Sequence, residues 1–194
     1  TGPGRKHLPT PKNDLDCGNS GTAMRLLSGV LTGAGISAKL IGDESLCART
    51  MTRIIEPMER MGAHILARNG AYAPLFVTRN DALKPMRFEL PIPSAQLKSC
   101  VLLAGLFGDE PTRVIETLPS RDHTERLLNL KQEQDGETKI ISSSLADKIP
   151  NQSYTIPGDF SAAAFWMVAG AIHSDAEIRL ANTGLNPTRN ALLH

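Results

Sequence analysis

Apolar positions along this chain follow two patterns. In "RTMTRIIEPMERMGA", Met51, Ile54, Ile55, Met58 and Met61 recur at helical spacing with polar residues between them, predicting an amphipathic helix that closes at Gly62. Pro57 lies inside that stretch, where proline removes a backbone hydrogen bond and kinks a helix. By contrast, "AMRLLSGVL", "QLKSCVLLAGLF" and "AAAFWMVAGAI" are apolar nearly all round, which predicts helices buried on most sides. Phe165 and Trp166 are accordingly read as core, and "KQEQDGETK" as a solvated hairpin with Asp135-Gly136 as its turn.

The patterns repeat. Segments starting at Leu15, Glu89 and Tyr154 each read as strand, tight serine-containing turn, small-residue helix, Gly or Asp turn, strand. Ser20, Ser94 and Ser161 take equivalent places, 74 and 67 residues apart. Arg49, Arg121 and Arg189 lie at or near the start of a further helix, 72 and 68 residues apart. The chain therefore reads as α/β, built of βαβαβ-like units of roughly 70 residues, longer than a solenoid repeat. All-apolar helices in such units imply helices inside, with sheets and polar helices outside.

Composition narrows the class. The 194 residues are 41% hydrophobic and 21% charged, as in a globular protein of one or two domains. Lys and Arg number 21 against 20 Asp and Glu, a net charge of +1, so no broad basic surface for nucleic acid is present and any anion must be met locally. Cys17, Cys47 and Cys100 are widely spaced, without a CxxC or a histidine at metal-ligand spacing; they are expected to be reduced thiols of a cytoplasmic protein with no metal site. No apolar run reaches the roughly 18 residues that span a bilayer. The missing initiator Met and a C-terminus that stops within "NPTRNALLH" suggest a piece of a longer protein.

The turns carry the candidate chemistry. In "GNSGTAM", glycines let the backbone approach a ligand, and Ser20 or Thr22 offers a hydroxyl beside the free N–H groups of a helix start. One such turn alone is equally an ordinary N-cap. Several, brought to a common face, favour a polyanion by about 0.3–1 kcal/mol per helix end. Arg49 and Arg121 can grip a carboxylate or phosphate in a bidentate fork, or form surface salt bridges with Glu44 and Asp122. "DHTER", with His123 and Glu125, is read as a helix opening. Lys98 is either a phosphate contact or a residue whose stem lies along the helix.

Six stretches in order, "GNSGTAMRLL", "GDESLCARTM", "PSAQLKSCVLLAGL", "SRDHTERLL", "PGDFSAAAFWMVAGAI" and "LNPTRNALL", resemble the successive motifs of the 5-enolpyruvylshikimate-3-phosphate (EPSP) synthase family, the 3-phosphoshikimate 1-carboxyvinyltransferases. The resemblance implies an inside-out α/β barrel of βαβαββ units, with residues 1–157 forming most of a first, substrate-binding domain without its opening unit and residues 158–194 the hinge and start of a second. It implies transfer of the carboxyvinyl group of phosphoenolpyruvate to the 5-hydroxyl of 3-phosphoshikimate with loss of phosphate, and no cofactor. By position it assigns Gly21, Arg49 and Gln96 to phosphoenolpyruvate, with Asn19 and Thr22 shaping that loop, and Ser94, Ala95, Gln96, Ser120 and Arg121 to 3-phosphoshikimate. Gly21 also leaves room for glyphosate, the inhibitor known for the family.

The family's Lys-Ser-x-x-x-Arg motif, its catalytic Asp, its Lys-Glu-x-x-Arg motif and its closing His-Arg and Lys positions have no counterpart in this sequence. No catalytic acid or base is therefore assigned, and complementary segments of the enzyme are expected partners for turnover. The related UDP-N-acetylglucosamine enolpyruvyl transferases place a nucleophilic Cys further upstream of their Arg than Cys47 lies from Arg49. Leu26 and Thr50 stand where many members have proline.

Overall fold

The computed structural model describes residues 4–79, 82–151 and 153–193. Two βαβαββ units succeed one another. The first runs β1 (Leu15–Asp16), α1 (Gly21–Ala34), β2 (Ala38–Ile41), a short α2 (Glu44–Cys47), α3 (Thr52–Arg60), β3 (His64–Arg68) and β4 (Tyr72–Thr78). The second runs β5 (Arg87–Glu89), α4 (Ala95–Gly105), β6 (Thr112–Glu116), α5 (His123–Leu128), β7 (Lys131–Asp135) and β8 (Thr138–Ser143). Their sheets have the same topology, β1-β2-β4-β3 and β5-β6-β8-β7, each with one parallel pair followed by two antiparallel pairs.

Local chemistry sets the helix limits. Ser20 and Ser94 cap α1 and α4, their hydroxyls accepting the amides of Ala23 (3.1 Å) and Leu97 (3.3 Å). Gly35, at φ +68°, closes α1 by turning its N–H back to the carbonyls of Leu31 and Thr32. Helix α3 tolerates Pro57 and buries the predicted face: Met51, Ile54, Ile55, Met58 and Met61 are all core, and Gly62 follows at φ +100°. The hairpin at "KQEQDGETK" forms, with Asp135 pairing Thr138, so its two turn residues are Gly136 and Glu137 rather than Asp135 and Gly136.

Helices α1, α3 and α4 lie between the two sheets. Along β4, Ala73, Leu75 and Val77 point inward and are fully buried, while Phe76 faces outward, the alternation of a sheet wet on one side. Helices α1 and α4 approach with almost no side chain between them. A Cβ on Gly33 would lie 2.6 Å from the Ala104 carbonyl oxygen, and one on Gly29 would collide with the Cys100 carbonyl. That contact, four residues apart on α1, brings the N-termini of the two helices side by side.

The third unit starts on the same plan and departs from the expectation. Helix α6 (Phe160–Ile172) forms, and a parallel bridge between Gly158 and Thr183 repeats the β1–β2 relation, but no full strand is built among the described residues. The capping residue of α6 is Asp159, whose carboxylate accepts the Ser161 amide at 3.1 Å, so Ser161 is not the counterpart of Ser20 and Ser94. Nor is α6 core here. Only Phe160 and Ala163 are buried along it, while Phe165 and Trp166 are 80% and 61% exposed, because no described sheet or helix covers its apolar faces. No helix among the described residues is long and apolar enough to cross a membrane.

Candidate functional site

The starts of α1 and α4 meet through side chains. The Gln96 amide donates to Thr22 Oγ1 at 2.7 Å, and its carbonyl accepts from the Arg25 guanidinium at 2.9 Å. Arg25 also donates to the Thr50 carbonyl at 3.2 Å, so one arginine ties α1, α4 and the loop before α3. Burial first, then the charges of Arg49 and Arg53, lower the Arg25 pKa from its ordinary value, which marks a cluster of three neighbouring cations. Gly21 is the first residue of α1, and a Cβ there would meet the Arg25 guanidinium at 2.7 Å and Arg49 at 3.7 Å.

Arg49 does not form the surface salt bridge with Glu44 weighed from sequence. Its guanidinium donates to Asn19 Oδ1 (2.9 Å) and Ser45 Oγ (3.2 Å), while the Asn19 amide donates to the Asp43 carboxylate at 2.8 Å. Asn19 thereby links Asp43 to Arg49, which stays exposed. The Asp43 carboxyl lies below its usual range because it accepts the Leu46 amide and then the Asn19 amide. Cys47, half-buried, donates its thiol to the Gly42 carbonyl (3.4 Å).

A second cluster adjoins the first. A cavity of about 660 Å³ is lined by Ser94, Ala95 and Gln96 from the start of α4, Ser120 and Arg121 from the β6–α5 turn, Arg53, and Thr188 from the chain after α6. A neighbouring cavity of about 310 Å³ shares Ala95, Gln96 and Arg121 and adds Thr22, His123 and Arg189. All five residues assigned by resemblance to one ligand thus share one cavity. Arg121 makes no salt bridge with Asp122; among the described residues it has no side-chain partner, and it is exposed to both cavities. The Ser120 hydroxyl is buried without a partner among the described residues, while its amide donates to Glu116 at 2.8 Å.

Asp122 is engaged elsewhere. Its carboxylate accepts from Arg126 Nε (2.9 Å), Asn186 Nδ2 (3.0 Å) and Thr188 Oγ1 (3.0 Å), clasping the chain after α6 onto α5. Burial by itself would raise its pKa; hydrogen bonds from Arg126, Asn186 and Thr188 outweigh that and hold it well below the usual carboxylate range. Arg189 reaches back to the start of α6, bonding Asp159 and the Ser161 hydroxyl.

The expectation for Lys98 is corrected. Lys98 is neither a phosphate contact nor a snorkelling side chain: it is fully buried, 3.0 Å from Glu116 and 2.7 Å from Glu125. Glu125 accordingly belongs to the core, although "DHTER" does open a helix as read. Arg25 and Arg53 were missed; both lay inside apolar helical patterns, and the one available signal was the small-residue spacing Gly29–Gly33 that draws α1 onto α4.

Fold and site together define an α/β protein that gathers two helix starts and a set of arginines around two adjoining cavities. The sequence model of EPSP synthase (3-phosphoshikimate 1-carboxyvinyltransferase) matches residues 1–194, and the chain belongs to that family. It is 51% identical over 195 residues to the 3-phosphoshikimate 1-carboxyvinyltransferase of Salinibacter ruber and 47% identical over 196 residues to that of Geobacillus thermodenitrificans, in each case covering 99% of this chain and 45% of the relative. The solved EPSP synthase of Acinetobacter baumannii superposes with a TM-score of 0.82 at 39% identity, over 98% of this chain and 43% of that one. The chain therefore spans less than half the length of the relatives it matches.

Proposed function

We propose that this chain supplies the substrate-binding half of a carboxyvinyl transfer from phosphoenolpyruvate to the 5-hydroxyl of 3-phosphoshikimate. The observation that carries the reading is the shared cavity: Ser94, Ala95, Gln96, Ser120 and Arg121 line one pocket, with the Gly21–Arg49 helix start joined to it through Gln96. The larger cavity receives 3-phosphoshikimate, its phosphate met by Ser94, the free Ser120 hydroxyl and the unpaired Arg121. Phosphoenolpyruvate sits against Gly21, where Arg49 and Arg25 answer its charges, and Gln96 faces both ligands. Residues 1–157 form most of the first domain and residues 158–194 begin the second. The protein works in the cytoplasm, and the lack of a side chain at Gly21, beside Arg25 and Arg49, leaves room for glyphosate.

Catalytic acids and bases come from complementary segments of the enzyme, since the family's acid–base motifs have no counterpart in this sequence. Binding groups without a positioned proton donor and acceptor forgo about 10²–10⁴-fold of the rate enhancement. Calorimetric titration of the purified chain should therefore show weak binding of 3-phosphoshikimate. Phosphate release from 3-phosphoshikimate plus phosphoenolpyruvate should stay near background. Rapid turnover by the chain alone would overturn the division of labour, and no binding of either substrate would overturn the assignment.

A further inference from the structure

A fully buried lysine between two buried glutamates demands an explanation that stability does not supply. Ion pairs taken wholly out of water recover at best what their desolvation costs, and apolar residues of similar size commonly do as well. The arrangement has one further product. Glu116 closes β6 and, while holding Lys98 Nζ at 3.0 and 3.2 Å, accepts the Ser120 amide at 2.8 Å with the same Oε1. Lys98 stands one helical turn after Ser94, its amide bonded to the Ser94 carbonyl at 3.0 Å. The chain of contacts Ser94, Lys98, Glu116, Ser120 thus joins the two walls of the 660 Å³ cavity from beneath.

We propose that Lys98 and Glu116 are positioning residues that set the distance between the start of α4 and the Ser120–Arg121 turn, acting through the Ser120 amide. A carboxylate is a strong acceptor for that amide, and Lys98 offsets part of the negative charge that Glu116 and Glu125 place behind a turn that receives an anion. Glu125 pairs with Lys98 at 2.7 Å but makes no bond to the turn. This inference rests on the assignment of the cavity to 3-phosphoshikimate.

The test compares Glu116→Met with Glu125→Met in the whole chain. Each removes one carboxylate and leaves Lys98 one partner, so the two variants share the same change in buried charge. Glu116→Met alone deprives the Ser120 amide of its acceptor. Loss of one hydrogen bond to a charged group is expected to raise Ser120 amide exchange and the dissociation constant for 3-phosphoshikimate about tenfold each. Glu125→Met should leave both within about threefold. Glu116→Gln, which keeps an acceptor oxygen, should recover part of the loss and supplies the comparison if Glu116→Met does not fold. Equal losses in the two methionine variants, or an unchanged Ser120 exchange rate without Glu116, would overturn the proposal. If the wild-type chain binds no 3-phosphoshikimate, the substrate assignment fails, and the exchange measurement, which needs no ligand, still decides the positioning role.

Discussion

Replacing Asp122 with alanine is expected to release the 186–189 segment from α5 while leaving the two sheets folded. Asp122 is 5% exposed, and its carboxylate takes hydrogen bonds from Asn186 and Thr188, both at 3.0 Å. Its third donor, Arg126, is more than half exposed and contributes little. A hydrogen bond to a charged group contributes about 1.5–3 kcal/mol, and the lower end applies because Asn186 and Thr188 regain water when freed, so the two amount to about 3 kcal/mol. At about 1.36 kcal/mol per decade, local opening should become about 150-fold more populated. Amide exchange at Arg189, whose N–H donates to the Asn186 carbonyl at 2.8 Å, reads that opening directly, and urea unfolding followed by far-UV circular dichroism reads the rest of the fold. The pH dependence has a fixed sign. Because the folded-state pKa is depressed, the contribution is complete above the unfolded value of about 3.9 and is lost as pH falls through the lower folded value. The difference between wild type and Asp122→Ala should therefore stay flat from about pH 5 to 8 and shrink only in stronger acid. No difference at neutral pH, or one that vanishes between pH 5 and 7, would refute the clasp.

Gly21→Ala places a methyl group 2.7 Å from the Arg25 guanidinium, whose flexible end must withdraw from Gln96. Fold stability should stay within about 1 kcal/mol, while titration should show about tenfold weaker phosphoenolpyruvate binding; unchanged affinity would count against the donor site. Arg49→Lys keeps a charge but loses the planar fork, so phosphoenolpyruvate affinity should drop several times more than that for 3-phosphoshikimate, and equal losses would contradict the assignment. Thiol labelling of the native chain near neutral pH should modify Cys47 first. Cys100 is fully buried with its thiol pushed up to about 12 by burial, and Cys17 is raised by burial and then by Asp16. Rapid labelling of a second cysteine would show that the core opens more readily than its packing implies.

Features encoded by residue type over short spans were legible in the sequence. Ser20 and Ser94 announce caps because a hydroxyl placed before an apolar helix has a local use, and the α3 face from Met51 to Met61 follows helical spacing in spite of Pro57. What was not legible depends on which partner meets a residue. Lys98 finds its carboxylates 18 and 27 residues downstream, and Arg25 finds Gln96 only because Gly29 and Gly33 let α4 come close. Helix α6 carries the apolar pattern of a buried helix, yet its pattern states a demand for cover and does not supply the covering element.

The repeat sharpens this distinction at its three equivalent arginines. Arg49 is bonded to Asn19, beside the cap of α1, and Arg189 is bonded to Asp159, the cap of α6, so each braces the helix start of its own unit. Arg121 has no such tie among the described residues, because Asp122 next to it is fully engaged with Arg126, Asn186 and Thr188, and the Ser120 amide is held by Glu116. A turn anchored on both flanks with a free guanidinium between them is poorly explained by fold stability. The same geometry is what an anion receptor needs, since the cost of ordering the backbone has been met before the ligand arrives. Sequence equivalence marked the three positions as alike; the hydrogen bonds separate Arg121, the one without a protein partner among the described residues.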